Sequence, residues 1–260
     1  MAKNTGIFTA KYANGREYYR VSVTYHGKHI SLGSFNSKRK ASVCYKEAKD
    51  ILNGSFSPDD YPAFKAISFD KFIILINFRD NNVYFKNPIY IKPGFFLYYL
   101  SYDYALKFSK DDLFFYSAHK IMKRGNHLFV NDYGSQESLG LRYGIMSYAV
   151  ENRDYEFINK DRTDYRYENI RIINRYTGVR KIEKDLNTVY EARIHINNYI
   201  RIGIFDDEIK AAIAYNKAAD ILIRNGIGKN YHHNFISGLS DDEYQAIYDE
   251  LSLSSKIYKF

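Results

Sequence analysis

Two stretches of the chain alternate apolar and polar residues with a period of two, the pattern of a strand with one covered face. In the first, Tyr19, Val21 and Val23 point one way and Arg20, Ser22 and Thr24 the other; in the second, Ala192, Ile194 and Ile196 alternate with Arg193, His195 and Asn197. Each passes a polar corner and reaches an aliphatic-Gly-x-Phe signal, Leu32-Gly33-Ser34-Phe35 and Ile202-Gly203-Ile204-Phe205. The period then changes to that of a helix. Ala41, Cys44, Tyr45, Ala48, Ile51 and Leu52 form one apolar stripe, and Ile209, Ala212, Ile213, Tyr215, Ala219 and Leu222 another. The first helix is predicted to start after Asn36 or Ser37 and the second to be capped by Asp206, with Asn53-Gly54 and Asn225-Gly226 as stops.

These stretches belong to a repeat, Thr5 to Gly54 against Thr177 to Gly226, each opening with Thr-Gly. The repeat divides the chain into a first strand-and-helix module at 1–62, a centre at 63–175, a second module at 176–235 and a tail at 236–260. The predicted class is α+β, with two terminal three-stranded antiparallel sheet-plus-helix modules flanking the centre. Charge sharpens the picture. The net charge is +8, and the tail is its one acidic segment, which makes a polyanion the first partner to consider. A single cysteine excludes an internal disulfide framework, and no apolar run reaches the length of a membrane helix, so a cytoplasmic protein without membrane contact is expected.

Two small α+β domains with no nucleic-acid role are the plain alternative for the repeat. Against it stand the outward strand positions, rich in Arg, His, Asn, Tyr and Lys, which suit hydrogen bonding in a major groove. The second copy resembles the APETALA-type (ethylene-response-factor) DNA-binding domain: Tyr176-Thr177-Gly178-Val179-Arg180, then Ile202-Gly203-Ile204-Phe205, then Ala211-Ala212-Ile213-Ala214-Tyr215-Asn216-Lys217-Ala218-Ala219. The resemblance implies a sheet lying in the groove with its helix bracing the back. It makes Arg180, Arg193, His195 and Arg201 candidates for base or phosphate contact, with Asn197 and Tyr199 around the turn. In the first copy the candidates are Lys11, Arg16, Tyr18, Arg20, Ser22, Thr24, Lys28 and His29, while Phe8 replaces the equivalent of Arg180.

In the centre, Asn87-Pro88-Ile89-Tyr90-Ile91 and Leu128-Phe129-Val130 read as strands among loops. From Glu156 to Ile173, a frame running Asp164-x-Arg166-x-Glu168-Asn169-Ile170-Arg171 resembles the ββα-metal core of HNH homing endonucleases, which often carry an APETALA-type module behind that core. By that resemblance Phe157 occupies the place of the general-base histidine, and phenylalanine cannot accept a proton. Arg142 stands where a histidine is usual and Gly178 about where a metal-binding Asn would sit; Glu156 and Asn169 survive. His119 and His127 lie upstream and are spaced unlike a metal pair. The expectation is a degenerate core with no catalytic residue, metal or cofactor, in which Lys160, Arg162, Arg166 and Arg171 either touch phosphate or pair with acids to hold the fold.

The segment Ser240 to Leu251 reads as a short capped helix with acids in its first turn, packing on the last module or forming a homodimer seam. Three functions compete: a sequence-specific binder of double-stranded DNA, such as a phage or mobile-element repressor similar to a domesticated homing endonuclease; an active nuclease with an unusual metal site on Glu156 and Asn169; and a protein-binding inhibitor on the same scaffold.

Overall fold

The structure is a computed structural model that describes residues 6–132, 134–184, 187–227 and 230–260. Thr5, the first residue of the repeat, lies outside the described residues. By internal contact the chain divides into two compact units, Met1–Leu139 with Asp161–Asn169, and Gly140–Lys160 with Ile170–Phe260. It is a mixed α+β protein of small antiparallel sheets and helices. Among the described residues no helix is long and apolar enough to cross a membrane.

In the first unit, β1 (Ile7–Lys11), β2 (Glu17–Tyr25) and β3 (Lys28–Phe35) form an antiparallel sheet in sequence order. The helix α1 (Lys38–Asn53), with Ser37 at its N-cap position, lays the predicted stripe against it: Ala41, Cys44, Ala48, Ile51 and Leu52 are buried with Val21, Val23, Ile30 and Leu32. This core does not stop at residue 62. It continues into α2 (Phe69–Asn81), where the sequence pattern suggested only strands and loops. Residues 72–78 of α2 are buried in an unbroken run, so the helix shows no period to read. Glu47 of α1 anchors the connection by accepting the backbone N–H groups of Lys65, Ala66 and Ile67 at 2.7, 3.0 and 2.8 Å.

Next come β4 (Ile89–Ile91), β5 (Phe95–Ser101) and β6 (Tyr104–Ser109) in one sheet, the short α3 (Leu113–Ala118), and β7 (Ile121–Arg124), β8 (His127–Asp132) and β9 (Ser135–Ser138) in another. Residues 161–169 lie against β6, with Lys107 bridging Asp164 in parallel register.

In the second unit, β10 (Tyr155–Phe157) pairs with β11 (Ile170–Ile172). A ββα core needs a helix next, and none follows: the chain passes directly into β12 (Val179–Lys184). The stretch predicted as a central domain is thus divided between the two units, and β10 and β11 form a two-stranded sheet within the second.

β12, β13 (Asn187–His195) and β14 (Tyr199–Phe205) form the second terminal sheet, backed by α4 (Glu208–Arg224). Its N-cap is Asp207, accepting from the Lys210 N–H, one residue later than the predicted Asp206, which instead pairs with the Lys210 ammonium at 3.2 Å. α5 (Asp241–Glu250) is capped as expected, through a capping box between Ser240 and Glu243, and packs on α4.

The two terminal sheets share an irregularity. The ladder slips between Val21 and Ser22 in the first and between Ala192 and Arg193 in the second, leaving Leu32 and Ile202 as extra residues. The aliphatic-Gly-x-Phe signal is therefore a β-bulge in both copies, which bends the strand over its helix.

Candidate nucleic-acid interface

Alternation along the second sheet sends Ala192, Ile194 and Ile202 into the core beside α4. Arg180, Arg193, His195, Tyr199 and Arg201 occupy the opposite face, where cross-strand partners share a side: Arg193 opposite Arg201, His195 opposite Tyr199, Arg180 opposite Glu191. Tyr199 is 61% exposed and organises its neighbours. The Arg193 guanidinium lies 4.6 Å from its ring centre and the His195 ring 5.0 Å away. Asn197 is exposed in the turn between β13 and β14. Among the described residues none of Arg180, Arg193 and Arg201 makes an ion pair. Their charge is therefore available to a partner.

The first sheet holds a thinner version of this face. Arg20 is exposed, lies 5.6 Å over the Tyr18 ring and donates to the Tyr18 hydroxyl at 3.0 Å. Thr24 and His29 face each other on the same exposed side. Three candidates sit differently from the expectation. Ser22 is only 7% exposed although its register partner Ser31 is exposed, because it lies in a hollow lined also by Gly6, Thr24 and Tyr45. Lys28 pairs with Tyr25 on the helix side and places its ammonium 4.9 Å over Tyr84. Lys11 falls in register with Glu17, also on the helix side, and pairs with it at 4.0 Å. Arg16 is exposed in the β1–β2 turn beside Gly15, whose φ of +80° suits glycine.

The residues of the nuclease-like stretch are occupied with one another. Asp164, with no exposed side chain, accepts from Arg166 at 2.7 Å and lies 3.5 Å from Lys107. Burial acts to raise its pKa, but the Arg166 side chain and N–H and the Lys107 charge outweigh it and hold the carboxyl below the usual range. Arg166 also reaches Glu168 at 2.9 Å, and Glu156 pairs with Arg171 and, at 3.8 Å, with Lys160. Arg162 is exposed, and Arg142 lies in the 3₁₀ turn Leu139–Tyr143. Phe157 is 4% exposed, and Asn169 is buried and donates to the Asp164 carbonyl at 2.8 Å, a capping use of the side chain. His119 stacks on Phe115 with its Nδ1 2.8 Å from the Phe115 carbonyl, and His127 pairs across the hairpin with Arg124. Among the described residues no group of three or more His, Cys, Asp or Glu is placed to hold a metal ion.

A hollow of about 210 Å³ opens at the root of β12 and β13, lined by Arg153, Arg180, Arg193, His195 and Tyr199 over a floor of Gly178 and Tyr215. Gly178 is required there, since a Cβ would fall 2.2 Å from the Tyr215 ring. Asp154 also lines it, but is bound by Arg153 at 2.5 Å and by the Val150 N–H at 2.8 Å. Burial would raise this carboxyl's pKa, yet those bonds, with the Asn174 amide, keep it lowered. Burial pushes the Tyr215 phenol up to about 12. The sequence pattern did not single out Arg153, Asp154 or Tyr148 of this hollow, which precede the repeat; Tyr215 and Gly178 were legible as repeat positions, but not as a floor.

The fold and this face define an α+β protein with a braced, cationic sheet surface. The chain matches no protein-family model, no curated protein and no solved structure.

Proposed function

We propose that the chain is a sequence-specific double-stranded DNA-binding protein, in which two sheet modules of APETALA-type arrangement each present an outer face to a major groove. Occupancy of a site would exclude polymerase or a competing nuclease, the action of a repressor or site-occluding regulator. The observation that carries this reading is the outer face of β12–β14, where Arg180, Arg193 and Arg201 stand without acid partners among the described residues, beside His195, Asn197 and Tyr199. Arg, Asn and His are the side chains that read base edges, and a braced strand pair fits the groove's width of about 12 Å. The stretch from Glu156 to Asn169 is taken as scaffold, because Phe157 offers no proton acceptor and Asn169 is engaged in capping.

The test is selection of bound sequences from random duplexes by the full chain, with and without magnesium. A single enriched site, uncut in both conditions, is expected. Arg193→Ala combined with Arg201→Ala should erase the enrichment, the first by lost affinity and the second by lost base contact, and leave the circular dichroism spectrum unchanged. Cleavage with magnesium would return the nuclease reading, and an unchanged footprint by the double variant would remove the reading face.

A further inference from the structure

We infer that the hollow at the root of β12 and β13 is a binding site for a phosphate group. Its assignment to a DNA backbone phosphodiester rests on the reading above, whereas the anion site itself does not.

The first module contains the same cradle. Gly6 and Tyr45 repeat Gly178 and Tyr215, and a Cβ on Gly6 would also lie 2.2 Å from its tyrosine ring. Over that floor is a hollow of about 390 Å³. By strand register its lining residues Phe8, Ser22, Thr24 and His29 correspond to Arg180, Arg193, His195 and Tyr199. The backbone is thus built twice: the strand walls of the first copy carry no arginine, its one lysine, Lys49, coming from the helix, whereas the strands of the second copy supply Arg180 and Arg193. Folding needs none of these cations, because the first copy forms the cradle without them. Their convergence in the second copy therefore calls for a ligand.

The ligand's chemistry follows from what remains uncompensated. Asp154 is satisfied by Arg153, Val150 and Asn174, so it withdraws no charge from Arg180 and Arg193, which have no ion pair among the described residues. Glu191 lies opposite Arg180 in the ladder but does not line the hollow. Tyr199 fixes the Arg193 guanidinium plane from one side. Two guanidinium groups with a histidine suit a tetrahedral oxyanion, to which arginine donates in a fork. The hollow, about 210 Å³, has room for one phosphate.

Inorganic phosphate titrated into the full chain, followed by the arginine Nε–H resonances, should move Arg180 and Arg193. Arg193→Gln should weaken that binding roughly tenfold, while Arg39→Gln, at an exposed position on α1, leaves it unchanged. The Gln variant is expected to fold, since Ser22 at the equivalent place is neutral. With duplex DNA, Arg193→Gln should lower affinity equally for selected and random sequences and reduce the salt slope by about 0.9. Phosphate that leaves both arginines unmoved overturns the site. So does an Arg193→Gln variant that loses sequence preference with its slope intact, which would make Arg193 a base reader. Phosphate binding in the hollow by a chain that ignores duplex DNA upholds the site with free phosphate as its source and overturns the DNA reading instead.

Discussion

At the scale of single residues, the polar groups of the nuclease-like stretch are best understood through Asp164. Its carboxylate has no exposed surface, while Lys107 and Arg166 beside it remain about a quarter exposed, 28% and 27%. Its folded pKa is depressed. The stabilisation is therefore fully present above the unfolded value of about 3.9 and is lost as pH falls through the lower folded value. Asp164→Asn should cost about 3 kcal/mol at neutral pH, the low end for breaking a buried pair because its partners can rehydrate. It should also flatten the loss of stability below about pH 4. Urea midpoints across that range check both, and an acid profile as steep as the wild type's would show that other carboxylates control it. Residues also show where alternation misleads. Ser22 lies on the outer side, as period two requires, but at the bottom of a hollow and with little exposure, whereas the register of Lys28 and Lys11 puts them behind the sheet.

At the scale of elements, the two modules brace their helices differently from one shared position. Glu47 on α1 and Lys217 on α4 occupy equivalent places in the repeat. Glu47 collects three backbone N–H groups of residues 65–67, and Lys217 donates to the carbonyls of Tyr248, Asp249 and Leu251 at 2.6, 3.3 and 2.9 Å, closing the end of α5. Each charge matches the backbone pole it meets, as helix ends require for a cation at α5. Charge-assisted bonds of this kind contribute about 1.5–3 kcal/mol. Glu47→Gln should speed amide exchange at Lys65, Ala66 and Ile67, and Lys217→Met should do so along α5, with neither affecting the other region. Exchange that spreads through the whole chain would mean that these anchors are not local. The short, strongly patterned helices α1, α4 and α5 were legible from sequence. α2 was not, because a helix apolar on every side has no stripe to detect.

At the scale of the whole molecule, the two outer faces are unequal. The second offers Arg180, Arg193 and Arg201, and the first chiefly Arg20 with His29. If affinity follows phosphate and base contacts, Arg20→Ala should weaken duplex binding by less than Arg201→Ala, with both effects measured in the full chain at one salt concentration. The first module would then act mainly by raising effective concentration through covalent linkage. Equal losses at the two positions would contradict the ranking.

The sequence alone determined the repeat, the strand and helix faces within it and the recurring aliphatic-Gly-x-Phe signal, because each of these is a local pattern of side-chain type against a fixed backbone period. Tertiary structure decided the rest: which cations are consumed by buried acids, that the core of the first module runs on through α2, that residues 161–169 join β6 and not the strands flanking them, and that Gly178 and Tyr215 meet to floor a hollow. Those outcomes depend on contacts between positions far apart in the chain, where no local period carries information and only packing selects the partner.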